Sequence, residues 1–476
     1  MSSSLLNLKE LLESTGGSLV SKTSEINFTS VQTDSRAVEN GTMFFPLVGE
    51  FQDGHKYIPS AIEKGASVVF IQNQNYSKDN SMYQELISKN PDVCFITVKN
   101  NMTALQNSAE KYVSKFPKLI KIAVTGSSGK TTTKEIAASV LSQKFNVITN
   151  KGNFNSETGL PLSVFNIRSE HEVGLFEMGM NRVNEIKEIS QVLKAQYAVV
   201  TNIGSAHIGI LGSRENIAKE KCNAFNYLGN YQNGIAFIPY GDDFLDYMTD
   251  YAEEKNAGVL YYGNPDDEKI SGVKNLGLEG TEFFVGSEKC VLKLPGIYNF
   301  KNALAAVELG LALGLTEKEI STGINSMKGL FGRSEVIKGK YTVIQDCYNA
   351  NPDSMEKSLE FFGSIPVSAG QKKIIVIGDM KELGSDSVNA HRNAGIQAKA
   401  AGADFVFFAG PEIKEGFESF GDSSKSAYYE SSSENELLKI AEKINSLCKG
   451  GDIVLIKASR SMGLEKLTSI LMQESK

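Results

Sequence analysis

The stretch Lys121–Glu135 reads KIAVTGSSGKTTTKE, and its reading decides the fold. An apolar run stops at Gly126, and residues suited to a helix resume at Lys130. A strand, a glycine-rich turn and a helix start in that order form a phosphate cradle: the glycines let the backbone come close, and the first N–H groups of the helix point at the anion. Lys130 is spaced to reach terminal phosphate oxygens, and the Thr131 hydroxyl to touch a phosphate-bound Mg2+. The loop is shorter than the usual P-loop. Val124 stands where that pattern has its first glycine, and Gly126 lies only three residues before Gly129. The candidate ATP-binding loop comprises Thr125, Gly126, Ser127, Ser128, Gly129, Lys130, Thr131 and Thr132.

Outward from this loop the chain alternates. LIKIAVTG, VGLFEMG and YAVVTNIG each read as a buried strand ending at glycine, which predicts a parallel sheet covered by helices. GVLYYGN and TEFFVG are expected as antiparallel strands, and NALAAVELGLALG as a helix. After GLFGRSE, the runs KYTVIQD, KKIIVIGD, DFVFFAG and DIVLIKA start a second α/β block, a Rossmann-like sheet with helices on both sides. The region before Pro117 is a small mixed domain with a strand at ASVVFIQ. The expected domains are 1–116, 117–333 and 334–476, in keeping with a soft prior of about three for this length.

Composition narrows the function classes. The 476 residues are 41% hydrophobic and 22% charged, with net charge −7. Lys and Arg are mixed among the acids, which argues against a nucleic-acid partner. The N-terminus MSSSLLNLKELLES has no apolar run that could insert in a membrane or serve as a signal. Its Leu5, Leu8 and Leu12 fit one face of a short helix. Cys94, Cys222, Cys290, Cys347 and Cys448 are odd in number and scattered, so a reducing cytoplasm is expected.

Ligands of open α/β sheets bind beyond the carboxyl ends of the strands. Glu177 closes VGLFEMG and His207 follows YAVVTNIG. With the Thr131 hydroxyl, these suit Mg2+ beside ATP better than zinc. In ENIAKEKCNAFNYL the apolar stripe is Ile217, Ala224, Phe225 and Leu228, and Lys221 falls on it while Lys219 points away. A buried lysine has a lowered pKa and a nucleophilic amine, able to add CO2 and become an anionic carbamate. Snorkelling to the rim is the other reading.

Together TGSSGKTTT, FEMGMN, TNIGSAHIG and IAKEK resemble the ATP-dependent Mur ligases of peptidoglycan synthesis. KGNFNSETGLPL, DCYNANPDSM, VIGDMKELG and IKASRSM extend the resemblance over nearly the whole chain, and TDSRAVENGTMFFPLVGEFQDGHKY is similar to the family's uridine-binding N-terminal domain. The resemblance implies three domains: one for a UDP-sugar, a central ATPase with a P-loop-type parallel sheet, and a mobile Rossmann-like C-terminal domain. It implies ATP and two magnesium ions, with Lys130 on phosphate, Thr131 and Glu177 on the first ion, and His207 with a carbamylated Lys221 on the second. Asn299 and Asn302 match adenine-side positions, and Arg333 and Asp346 match nucleotide contacts brought in by the third domain.

The implied reaction joins a peptide carboxylate to an amine through an acyl phosphate. UDP-MurNAc-tripeptide and D-Ala-D-Ala are the implied substrates of a cytoplasmic monomer. Ser35, Arg36, Asn153, Asn155, Thr158 and Asn181 match positions on the UDP-sugar peptide side, and Tyr348, Asn349, Asn351, Lys457 and Ser459 lie on the side of the incoming dipeptide. The NPDS that follows Ala350 is also good N-terminal chemistry for a helix. Departures from the family pattern are Ser128 for asparagine, Tyr298 for histidine, Ser156 within an Asn-Asn pair and Ala458 for glycine. Another amide ligase of the superfamily, or a nucleotide-binding regulator without ligase chemistry, are the competing readings.

Overall fold

The structure is a computed structural model and describes residues 4–472. Each expected domain has its own sheet. The first is five-stranded, in the order Ser18–Leu19, Cys94–Val98, Ala66–Gln72, Thr42–Phe44, Ser30–Gln32. All its pairings are parallel except that of the two-residue edge strand. The central sheet has six strands, all parallel: Gly258–Tyr262, Ile235–Pro239, Tyr197–Val200, Ile120–Thr125, Val173–Glu177, Val147–Thr149. Ile120–Thr125, which leads into the glycine loop, is therefore interior. Its residues Ile122, Ala123 and Val124 are fully buried, as a strand covered on both faces requires. The third sheet also has six strands, in the order Glu335–Lys338, Thr342–Gln345, Ile453–Lys457, Lys373–Gly378, Phe405–Ala409, Ser426–Tyr429. Only Glu335–Lys338 pairs antiparallel in it, and separate apolar clusters cover its two faces.

Two expectations need correction. Gly258–Tyr262 runs parallel, as the edge of the central sheet, while Thr281–Val285 belongs to a separate antiparallel three-stranded meander. The helix Leu245–Glu254 lies between Ile235–Pro239 and Gly258–Tyr262, and this crossover returns the chain in the same direction. Aromatic and β-branched content marks a strand but carries no direction. At the N-terminus the helix is Leu8–Thr15, begun by Asn7 and Glu10 in a capping box, so Leu5 precedes it and Leu11 is its buried residue.

Two helices set the geometry of the site. Lys130–Leu141 packs along Ile297–Ala312 through Ile136, Ala137, Val140, Ala303 and Val307, which steadies the helix start beneath the loop. Asn101–Val113, capped by Asn100, joins the first two domains. Its Ala104, Leu105, Ala109, Tyr112 and Val113 share one apolar cluster with Phe70 and Ile96 of the first sheet and with Leu160, Ile186 and Ile189 of the central domain. The boundary at residue 116 thus follows a helix that belongs to both cores.

Leu105→Ala removes a fully buried side chain from that shared cluster. It should cost about 2–5 kcal/mol, read as a lower urea midpoint with the first two domains unfolding together.

Candidate functional site

The glycine loop is braced from the neighbouring strand exit. Thr201 Oγ1 donates to Ser128 O at 2.6 Å and Asn202 Nδ2 donates to the same oxygen at 2.9 Å. Asn202 Oδ1 accepts from Ser128 N, and Ser127 Oγ accepts from Gly204 N at 2.9 Å. A Cβ on Gly126 would lie 1.8 Å from Thr201 Oγ1, and one on Gly129 would lie 2.5 Å from Asn302 Oδ1. Both glycines have positive φ, 142° and 80°, so no other residue fits either place without displacing its neighbours. Gly129 is the N-cap of Lys130–Leu141, and the first-turn N–H groups of that helix have no partner within it.

Two lysines converge on the loop from opposite sides. Lys130 Nζ donates to Gly126 O at 2.7 Å, and Lys221 Nζ donates to the same oxygen at 2.8 Å. Lys221 sits near the end of the helix Arg214–Cys222, with Ile217 and Phe225 fully buried on the same face. Burial pushes the Lys221 ammonium well below its ordinary pKa, and the charge of Lys130 pushes it further. Burial lowers Lys130 too, opposed by Glu177 and assisted by Arg333. Two ammonium groups on one neutral carbonyl lack negative charge, and the chemistry that suits them is a phosphate or a carbamate.

Glu177 stands beside them, buried at the end of its strand. Thr131 Oγ1 donates to Glu177 Oε2 at 2.6 Å, and Asn155 Nδ2 donates to Oε1 at 2.6 Å. Asn150 fixes the backbone of Glu177 through both its N–H and its carbonyl. Arg333, from the linker to the third domain, donates to Thr131 Oγ1 at 2.7 Å and stacks on Tyr348 at 4.0 Å. His207, with φ of 64°, turns its Nδ1 to 2.8 Å from Glu382 Oε2. The contact is close but misaligned, so this buried Nδ1 has no proper hydrogen bond. Contact with His207, and then the Lys130 ammonium, hold the Glu382 carboxyl below its ordinary pKa against the opposing effect of burial.

These groups fit magnesium beside a nucleotide. Among the described residues no three His, Cys, Asp or Glu side chains converge on one point. Magnesium does not need them, since it takes one or two protein ligands and completes its shell with phosphate and water. The Glu177 carboxylate, hydrogen-bonded to the Thr131 hydroxyl, is a donor set of that kind.

The other candidate residues divide by what their polar atoms already hold. Thr125 Oγ1 donates to Met178 O inside the sheet, and Thr132 is buried in the helix. Asn299 Nδ2 donates to Pro295 O, and Asn302 packs beside Gly129. Asp346 accepts from Lys457 Nζ at 2.7 Å and from Ser334 N at 3.0 Å, so these two candidates hold each other. The Ser459 hydroxyl accepts from Lys381 N and donates to Ala350 O. Asn351 caps the helix Pro352–Ser364 and also donates from Nδ2 to Ser128 Oγ at 3.1 Å, which joins the third domain to the loop. Asn153, Asn181 and Asn349 are exposed, and Thr158 is partly buried. Arg36 is exposed and paired with Asp34, while Ser35 offers its carbonyl to Lys64.

Several contributors carried little signal in the sequence. Thr201 and Asn202 differ from other strand-end polar residues only in following a strand next to the loop. Glu220, inside the charged run KEK, reads as solvated, yet it is buried and accepts from Asn184 N and Ile186 N, capping Glu185–Leu193. Asp353 Oδ2 crosses the domain interface to accept from Ser205 N and Ser205 Oγ. Two cavities lie away from the loop. One of about 460 Å3 separates Asn101–Val113 from Glu185–Leu193, beside Gln106, Arg182 and Glu188. Another, of about 520 Å3, adjoins Asp53 and His55 in the first domain. The docked third domain covers the rim of the loop itself.

Comparison with known proteins gives one family along the chain. Family models described as Mur ligase middle domain, Mur ligase glutamate ligase domain and Mur ligase family catalytic domain match residues 124–310, 332–460 and 27–112. The UDP-N-acetylmuramoyl-tripeptide–D-alanyl-D-alanine ligase of Treponema pallidum is 38% identical, over 94% of each chain. The Bacillus subtilis protein of the same name is 32% identical over 93% of each. Among solved structures, MurF from Acinetobacter baumannii superposes with a TM-score of 0.87 at 27% identity, covering 98% of this chain and 99% of that one. MurF from Thermotoga maritima in complex with ADP gives 0.77 at 27% identity, covering 93% and 97%.

Lys221→Met exchanges a buried charge for an apolar chain of similar length. The depressed Lys221 pKa means that folding opposes its protonation, a cost present at neutral pH and lost as pH rises toward the ordinary lysine value. The variant should therefore be more stable than the wild type, by on the order of 1 kcal/mol at pH 7, with a narrowing gap at alkaline pH. Thermal melts across pH check this, and turnover should be abolished.

Proposed function

This chain belongs to the Mur ligase family, and from that premise we infer that it is the ATP-dependent ligase joining D-alanyl-D-alanine to UDP-N-acetylmuramoyl-tripeptide. The product is the UDP-MurNAc-pentapeptide of peptidoglycan synthesis. The observation that carries the reading is the single rim on which Lys130, Lys221, Thr131, Glu177 and Arg333 meet around the loop.

A carboxylate is a poor acyl donor because its leaving group would be oxide. Transfer of the ATP γ-phosphoryl group to the peptide carboxylate gives an acyl phosphate, which the dipeptide amine attacks, and inorganic phosphate leaves. The loop's first-turn N–H groups hold the nucleotide phosphates. Lys130, swinging from Gly126 O, neutralises the transferring group. Magnesium, when bound, would polarise the phosphoryl and carboxylate oxygens. Thr131 and Glu177 would hold one ion, and His207 and Lys221 a second. Arg333 adds charge at Thr131 from the third domain, and Asn351, Asp353 and Ser205 fasten that domain over the rim, excluding water from an intermediate that water would destroy.

Lys221 is read as carbamylated in the working enzyme. Its neutral amine attacks CO2, the N–C bond forms, and a proton is lost, which leaves a carbamate. The exchange would turn a cation that burial opposes into an anion beside Lys130, able to serve as a ligand to magnesium. Ser35, Arg36, Asn155 and Asn181 are read on the UDP-sugar peptide side, and Tyr348 and Asn349 on the dipeptide side. No described helix is long and apolar enough to cross a membrane. The enzyme is read as a cytoplasmic monomer on small-molecule substrates with no nucleic-acid partner.

The test is ADP release by the purified protein with UDP-MurNAc-tripeptide, Mg2+ and ATP. Release should depend on D-Ala-D-Ala and not be supported by single amino acids or glutamate. Nucleotide binding without dipeptide-dependent release would overturn the reading. Removing CO2 should lower the rate, and adding bicarbonate should restore it.

A further inference from the structure

We propose that Glu382 receives the ammonium group of the incoming dipeptide and sets it against the acyl group. The inference rests on the ligase reading above and names a substrate-binding residue for it.

Among the carboxylates at the end of the third sheet that faces the loop are Asp346, Asp353, Asp379 and Glu382. Three are already satisfied. Asp346 holds Lys457 and Ser334 N. Asp353 holds Ser205 twice. Asp379 is fully buried and accepts from Glu412 N, Ile413 N and Lys381 Nζ. Glu382 differs. Its one polar contact among the described residues is the misaligned approach to His207 Nδ1, and its side chain is 48% exposed. It is an anion with an opening for a donor, beside the His207 imidazole that the ligase reading assigns to the second metal ion.

The backbone at the contact is specialised on both sides. Glu382 has φ of 67° and His207 has φ of 64°, the left-handed region that disfavours residues with a Cβ. Such conformations persist where surrounding structure enforces them, often at functional sites. Two residues beyond each lies a glycine, Gly209 and Gly384. A Cβ on Gly209 would come within 2.5 Å of Gly384 N, and one on Gly384 within 2.9 Å of Gly209 Cα. Backbone pressed on backbone fixes how far Glu382 stands from His207 when the domains meet.

Charge identifies the occupant. With ATP bound, the phosphate charges take up the cations of the rim, and a carboxylate left exposed beside them favours a further cation. The dipeptide brings one, because its amine is an ammonium at neutral pH before it can attack. A carboxylate beside His207 binds that cation next to the acyl carbon and disfavours acceptors with a neutral or acidic end. The entrant on this side is the amine, because the third domain, which carries Glu382, is read as its binding face.

The test is steady-state ADP release by the full chain with either D-Ala-D-Ala or hydroxylamine as acceptor. Hydroxylamine is uncharged at neutral pH and needs no carboxylate. Glu382→Gln should raise KM for D-Ala-D-Ala roughly ten- to a hundredfold, with a far smaller loss when hydroxylamine is the acceptor. Glu382→Asp should recover part of the dipeptide affinity. An unchanged dipeptide KM in Glu382→Gln overturns the inference. An equal loss with hydroxylamine also overturns it, making Glu382 a domain latch, and so does a raised magnesium requirement at unchanged dipeptide KM, making it a metal ligand. A wild-type chain that releases no ADP with either acceptor overturns the ligase reading, and this inference with it.

Discussion

Lys130, half-buried, and Lys221, fully buried, donate to the same peptide oxygen, that of Gly126. Two ammonium groups so placed repel each other, Lys221 has lost its water, and the neutral carbonyls of Gly126 and Ser127 compensate neither charge. The fold accepts this because the loop, two strand exits and a helix start hold it from several directions. The features that matter for chemistry respond to that imbalance. Glu177 and Glu382 lie within range of the Lys130 charge, the helix start offers N–H groups of the same polarity, and the reading of ATP, magnesium and a carbamate supplies the missing negative charge. A preformed excess of positive charge stabilises a transferring phosphoryl group more than it stabilises the protein alone.

The third domain completes what the central domain begins. Arg333 reaches Thr131, Asn351 reaches Ser128, Asp353 reaches Ser205 and Glu382 reaches His207. These contacts fall on the loop or on the strand exit that braces it, so closure and assembly of the site are one event. Side-chain hydrogen bonds and the close backbone approach of Gly209 and Gly384 join the two domains, and Leu278 and Tyr298 pack against the apolar cluster of the third. Where it meets the loop this interface is polar, held by Arg333, Asn351 and Asp353. The seam between the first two domains is the opposite case, since Asn101–Val113 buries its apolar face in both at once.

Much of this architecture was legible beforehand. Runs such as IKIAVT and KIIVIG are apolar on both faces, and only a covered parallel strand buries them fully. The glycine loop was legible because its residue types at that spacing serve few other ends. Lys221 stood out because its spacing from Ile217 and Phe225 put a charge on an apolar face, and the structure buries it there. The direction of Gly258–Tyr262 was not legible, because pairing is set by the helix that precedes it and not by its own residues. Glu220 and Glu382 were missed for a related reason. Inside the charged runs KEK and MKE a carboxylate reads as solvated, and its true neighbours, Asn184 and His207, lie far away in the chain.

By itself the sequence determined the longer apolar strands, where the phosphate loop lies, and that a lysine out of place on an apolar face follows it, while short strands such as Thr42–Phe44 and Val147–Thr149 carried no clear pattern. Those are local matters, set by periodicity, glycine conformation and side-chain polarity within a few residues. Tertiary structure alone decided that Lys221 and Lys130 share one oxygen, that Thr201 and Asn202 brace the loop, and that Glu382 faces His207. Each of those depends on sheet order and on how two domains meet. Such distances come from packing the whole chain at once, because a residue's charge has no energetic meaning until its neighbours, and the water they exclude, are known.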